Sequence, residues 1–141
     1  IVVVGAACGD PPNHLEGSIS SNVSLEFDST RLVRYPNLTL QLEYLKALEG
    51  GGGDDVVAKL VVDTPEGGVV AGEPIDLKAH NGVVERVVAA GDTFPAFDVA
   101  TITFDEGGNE PGLAKGGFAV TFDNGRTLNG LFEVELEDVE L

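Results

Sequence analysis

An all-β, mostly antiparallel domain is the fold class this chain predicts, with a β-sandwich as the architecture and a flattened β-barrel as the alternative. Three observations lead there. Apolar and polar residues alternate with a period of two over most of the sequence. Clusters of Gly, Pro, Asn and Asp punctuate that alternation about every ten residues. Helical spacing in good helix formers is confined to Leu38–Glu49, where Leu38, Leu42, Leu45 and Leu48 compete with the alternation, and one such segment makes no layer of helices.

The elements follow in chain order. Leu15, Gly17 and Ile19, then Val23, Leu25 and Phe27, share one parity and read as strand, with Asp28-Ser29-Thr30 as a turn. Arg31–Tyr35 is a short strand ended by Pro36-Asn37. Leu38, Leu40, Leu42 and Tyr44 face one way against Thr39, Gln41 and Glu43, which predicts strand over Leu38–Leu45; a helical turn at Lys46–Glu49 fits before Gly50-Gly51-Gly52-Gly53. Val56–Asp63 is apolar at most positions, the mark of a strand with neighbours on both sides. Ile75–Ala79 and Val83–Ala89 flank Asn81-Gly82, a short-range hairpin signal. Ala100, Ile102 and Phe104 alternate with Thr101, Thr103 and Asp105 in a further strand.

The last hairpin can be specified by parity. Phe118, Val120 and Phe122 are even-numbered, as are Leu128, Phe132, Val134 and Leu136. A two-residue loop at Asn124-Gly125 would pair even positions with odd ones and split the apolar set between two faces. A three-residue loop, Asp123-Asn124-Gly125, pairs Val120 with Leu128 and Phe118 with Gly130. The expectation is therefore a type I turn closed by a left-handed Gly125 in a bulge.

Length and charge bound the function. A chain of 141 residues is one domain large enough to bury a core. Carboxylates outnumber Lys plus Arg by 24 to 8, giving a formal charge of −16, which argues against nucleic acid and anionic lipid headgroups as partners. The same charge suits either cation binding or a self-repelling soluble surface. With one cysteine, no intramolecular disulfide is available.

That cysteine, Cys8, ends the apolar run Ile1-Val2-Val3-Val4-Gly5-Ala6-Ala7 and is followed by Gly9-Asp10-Pro11-Pro12-Asn13. An apolar stretch, small residues and a turn-rich exit form the end of a secretory signal. With cysteine at the cut, the pattern resembles the lipobox of bacterial lipoproteins, where cleavage falls between Ala7 and Cys8 and the thiol receives a diacylglyceryl group. Gly5 stands where these proteins usually carry Leu, and no basic region precedes Ile1. The same residues would also suit a buried first strand, or a strand lent to a neighbouring subunit. The resulting division is the end of a truncated signal peptide at 1–7, a lipidated cysteine and linker at 8–14, and a single β-domain at 15–141.

Beyond the lipobox, Leu15-Glu16-Gly17-Ser18, Val23-Ser24-Leu25-Glu26-Phe27-Asp28, Leu42-Glu43-Tyr44, Gly91-Asp92-Thr93-Phe94-Pro95 and the run Gly117–Gly130 together resemble the small lipoproteins of myxobacteria and related soil bacteria. The resemblance implies an exported, lipid-anchored β-domain of the cell envelope, with the lipid anchor as its membrane partner, and carries no catalytic residues across. Gly9 rather than Asp after the cysteine points to the outer membrane.

Candidate chemistry is sparse. His14 falls in the linker and His80 beside a turn; no nucleophile-elbow motif accompanies them, and one Cys with two distant His makes no zinc ligand set. The expectation is a non-enzymatic structural or binding module without a cofactor. Calcium is the alternative, as in an adhesion or ligand-binding module: Gly53-Asp54-Asp55, Asp123-Asn124-Gly125 and above all Asp105, Glu106, Asn109 and Glu110 offer hard oxygen donors in loops, although none has EF-hand spacing. Glu133, Glu135 and Glu137 share the solvated parity of the last strand and make either an acidic strip or a wet sheet face.

Overall fold

The computed structural model describes residues 12–139. Its strands are β1 (His14–Glu16), β2 (Ser29–Arg34), β3 (Thr39–Ala47), β4 (Asp54–Asp63), β5 (Ile75–Asp76), β6 (Val83–Val87), β7 (Phe97–Glu106), β8 (Gly112–Phe122) and β9 (Thr127–Asp138), with single 3-10 turns at Ser18–Ser21 and Lys78–His80. The expectation of an all-β fold holds. All strands belong to one sheet in the order β5-β7-β8-β9-β2-β3-β4-β6, curled into a half-barrel around the core. Every pairing is antiparallel except β2 with β9. β1 and β2 share the same edge of β9, β1 against Asn129–Leu131 and β2 against Leu136–Asp138.

The final hairpin has the expected register. Val120 pairs with Leu128 and Phe118 with Gly130. The Phe122 amide donates to the Arg126 carbonyl, the Gly125 amide donates to the Phe122 carbonyl, and Gly125 sits at φ 83°. The β2–β3 hairpin repeats this loop: the Tyr35 amide donates to Thr39, the Leu38 amide to Tyr35, and Leu38 occupies the left-handed position at φ 66°. One loop thus carries glycine where left-handed backbone is free of strain, and the other carries a half-exposed leucine.

Elsewhere tertiary context overrides alternation. Position 14 belongs to β1, so the expected linker ends one residue earlier. The expected strand through Leu15–Ile19 stops at Glu16, because Gly17 (φ 141°) passes so close to β9 that a Cβ there would lie 2.3 Å from the Thr127 carbonyl oxygen. Ser18 then bonds Thr127, and the 3-10 turn buries Ile19. Val23–Phe27 forms no ladder either; its apolar parity faces the core as a covering segment. The chain at Ser29-Thr30 is already β2 rather than turn, and β3 continues to Ala47, so no helical turn forms at Lys46–Glu49. β4 is flanked by β3 and β6, as its apolar content predicts.

The hairpin expected at Asn81-Gly82 is the main correction. β5 pairs with β7 and β6 pairs with β4, so the two segments lie at opposite ends of the strand order. Asn81 is left-handed as the dipeptide predicts (φ 55°), yet it ends a 3-10 turn instead of joining paired strands. The Leu77 amide donates to Ala100 on one sheet edge, and the Gly82 amide returns to the Leu77 carbonyl. A Cβ on Gly82 would sit 2.4 Å from that of Leu77, so the turn closes tightly around this buried leucine. Asn81 also donates to Asp63 at 2.8 Å, and Thr39 donates to the same carboxylate at 3.0 Å. These bonds hold the Asp63 carboxyl below its ordinary value.

Aromatic rings line the concave side. Phe27 and Phe118 each meet Tyr44 edge-on, and Phe104 meets Phe132 likewise. The Tyr44 hydroxyl donates to the Leu131 carbonyl at 2.7 Å, and burial pushes this phenol far above its ordinary pKa. Arg86 is the only charged side chain among the buried residues described. Its guanidinium donates to Asp92 at 3.1 Å, to the Ser24 carbonyl at 2.8 Å and to the Val57 carbonyl at 3.3 Å. It therefore ties the covering segment, β4 and the 88–96 connection together.

Three outcomes follow from these features. Gly125→Val, which forces a β-branched residue into left-handed backbone, should destabilise by about 1–3 kcal/mol in chemical denaturation. Leu38→Gly, at the equivalent position of the other hairpin, should leave stability unchanged or raise it by up to about 1 kcal/mol; equal losses in both variants would contradict the shared loop geometry. Arg86→Leu should cost about 2–4 kcal/mol, because it leaves two carbonyls unpaired. A melting curve superimposable on that of the parent would disprove the role given to Arg86.

Candidate functional site

The residues that point outward from β7, β8, β9 and β1 build a groove of about 410 Å³. Strand register fixes its layout. One row across the sheet reads Thr101, Ala119, Asn129, Glu16, and the next reads Thr103, Gly117, Leu131, His14. The groove therefore runs along β8, with a floor of two residues that lack long side chains and walls of longer ones on either side. Gly117 is glycine for a packing reason as well: a Cβ there would lie 2.9 Å from the Gly130 carbonyl oxygen. Asp105 borders one end, where β7 bulges between Phe104 and Glu106.

The polar groups of the walls are uncommitted. Among the described residues, the side chains of Asn13, Asn37, Asn81, Asn109 and Asn124 each hold a protein hydrogen bond. To other described residues, those of Asn22, Asn129, Thr101 and Thr103 make none, and the last three are half-buried around the groove. His14 Nε2 lies 3.7 Å from a Glu16 carboxylate oxygen. Lys115, at the Asp105 end, is 3.6 Å from Glu133. The half-exposed Leu131 provides an apolar wall beside these groups.

The expected calcium donors do not converge. Among the described residues, no group of three or more His, Cys, Asp or Glu side chains is placed to hold one ion. Asn109 is engaged elsewhere: its carboxamide accepts from the Val69 amide and donates to the Val69 carbonyl, both at 2.8 Å. Its own carbonyl accepts from Arg34, whose guanidinium also clasps Asp138. The residue is a splint joining two loops to the end of β2 and β9. Asp105 borders the groove, Glu106 lies opposite Lys115 in the strand register across the bulge, and Glu110 lines a separate cleft with Pro111. Glu133, Glu135 and Glu137 are exposed on the convex face, with Glu133 and Glu137 within 4.0 Å of Lys115 and Arg31.

His80 ends the 3-10 turn that joins the sheet edges and is not among the residues that line the groove. His14 is brought to the groove by β1, a placement that its expected linker position does not suggest. Ala7 and Cys8 lie outside the described residues. The groove has one sign in the sequence, Gly117 and Ala119 on the outward parity. The walls come from strands whose adjacency only the fold establishes. Comparison with known families, curated proteins and solved structures finds no match.

Proposed function

We propose that this protein is a lipid-anchored component of the bacterial cell envelope, held at the outer membrane through Cys8, in which the β-domain acts as a non-catalytic binding module. The observation that carries this reading is the position of the sole cysteine, after Ala6-Ala7 at the end of an apolar run and before a turn-rich exit. The folded domain fits such a tether. Its first strand begins at His14, so only a few residues separate the cysteine from the sheet. Two or three acyl chains suffice for stable attachment, since each buried methylene contributes about 0.8 kcal/mol. No helix among the described residues is long and apolar enough to cross a membrane.

The binding role rests on the groove along β8, where uncommitted hydroxyl and carboxamide groups converge over a floor of small residues. With the full precursor expressed in a bacterial host, Cys8→Ala should move the product from the membrane fraction to the soluble one. Mass spectrometry of the unaltered protein should find a diacylglyceryl thioether on Cys8 as the first residue. An unmodified thiol with residues 1–7 still attached would refute the anchor.

A further inference from the structure

We propose that the groove along β8 binds a linear aliphatic polyamine, laid across the sheet from Glu16 to Asp105. The inference rests on the reading of the domain as a binding module and is independent of the anchor.

Register supplies the geometry. Glu16 lies in the row of Thr101, three strand spacings from β7, and Asp105 lies four residues further along β7. With about 4.8 Å between strands and about 3.3 Å per residue, Glu16 and Asp105 stand at diagonal corners roughly 20 Å apart. An extended tetraamine such as spermine spans that diagonal, and a short diamine such as putrescine does not. Its terminal ammonium groups would pair with the two carboxylates, and its inner amines would donate to Thr101, Thr103 and the Asn129 carboxamide. Its methylenes would lie over Ala119, Gly117 and Leu131, which leave room for a thin chain.

Charge selects the sign of the ligand. The two corners are anionic, and Lys115, opposite Glu106 across the bulge, stands 3.6 Å from Glu133. The formal charge of −16 draws polycations toward the surface, so the experiment must separate the groove from that general field.

The test is titration calorimetry of the full chain with spermine at physiological ionic strength. Glu16→Gln and Asp105→Asn should each weaken binding about tenfold, the effect of one lost charge-assisted hydrogen bond. Ala119→Leu, which fills the floor from the solvent side, should weaken it at least as much. Putrescine should bind about tenfold more weakly than spermine, having only one corner to engage. Glu66→Gln combined with Glu73→Gln removes two exposed charges elsewhere and should leave the affinity within about twofold. Absence of spermine binding, equal losses from the distant and the groove substitutions, or indifference to Ala119→Leu would each overturn the proposal. None of these results bears on the fate of Cys8, which fractionation decides separately.

Discussion

The strands at the two ends of the sheet order, β5 and β6, are consecutive in the chain and joined only by Leu77–Gly82. Six residues fully extended reach about 20 Å, and here part of that length is spent in a 3-10 turn. A flat sheet of this many strands would hold its edges about 34 Å apart at the usual strand spacing. The sheet must therefore curl until its edges approach, and the concave side becomes the interior. Buried Leu77 marks the closure, bonded through its amide to β7 and through its carbonyl to Gly82.

Curling brings inward-facing side chains together, so residues on the tightest strands have to give way. Phe118 lies over Gly130, where a Cβ would stand 2.1 Å from the ring, and Phe132 lies beside Gly116. Each glycine lets an aromatic ring settle onto the neighbouring backbone, which restores the apolar burial that the glycine itself lacks. The ends of the half-barrel are closed by other means. Ile19 and Val23 cover one side with the help of Arg86, and the Asn109 splint with Arg34 ties down loops at the other. A buried guanidinium serves this purpose because it can satisfy several carbonyls of irregular chain that no strand pairs.

The convex face bears the acidic charge, and its relief is set by the same small residues. Gly117 is excluded from carrying a side chain by the nearness of Gly130, and that leaves a channel along β8 on the solvent side. One packing constraint thus shapes both faces of the sheet. The channel acquires its polar walls because β1 returns to β9 and places His14 and Glu16 level with Leu131 and Asn129.

Local patterns sufficed for whatever depends on neighbours in the chain. Period-two alternation identified β3, β7, β8 and β9, since side chains on a strand must alternate between core and water, and a nearly continuous apolar run identified β4. Parity alone set the three-residue loop at Asp123–Gly125, because a shift of one residue would have exposed half of the apolar set. The resemblance of Ile1–Cys8 to a lipobox likewise rests on linear order alone. Asn81-Gly82 shows where such reasoning stops: the dipeptide specifies left-handed backbone, and the partner of each flanking strand depends on the closure of the whole sheet. Likewise Val23–Phe27 alternates as a strand does, yet it joins no strand, and its Ser24 carbonyl accepts from Arg86 instead. Which strands meet, and hence where Glu16, Asn129, Thr103 and Asp105 converge, was decided by long-range packing that no local pattern encodes.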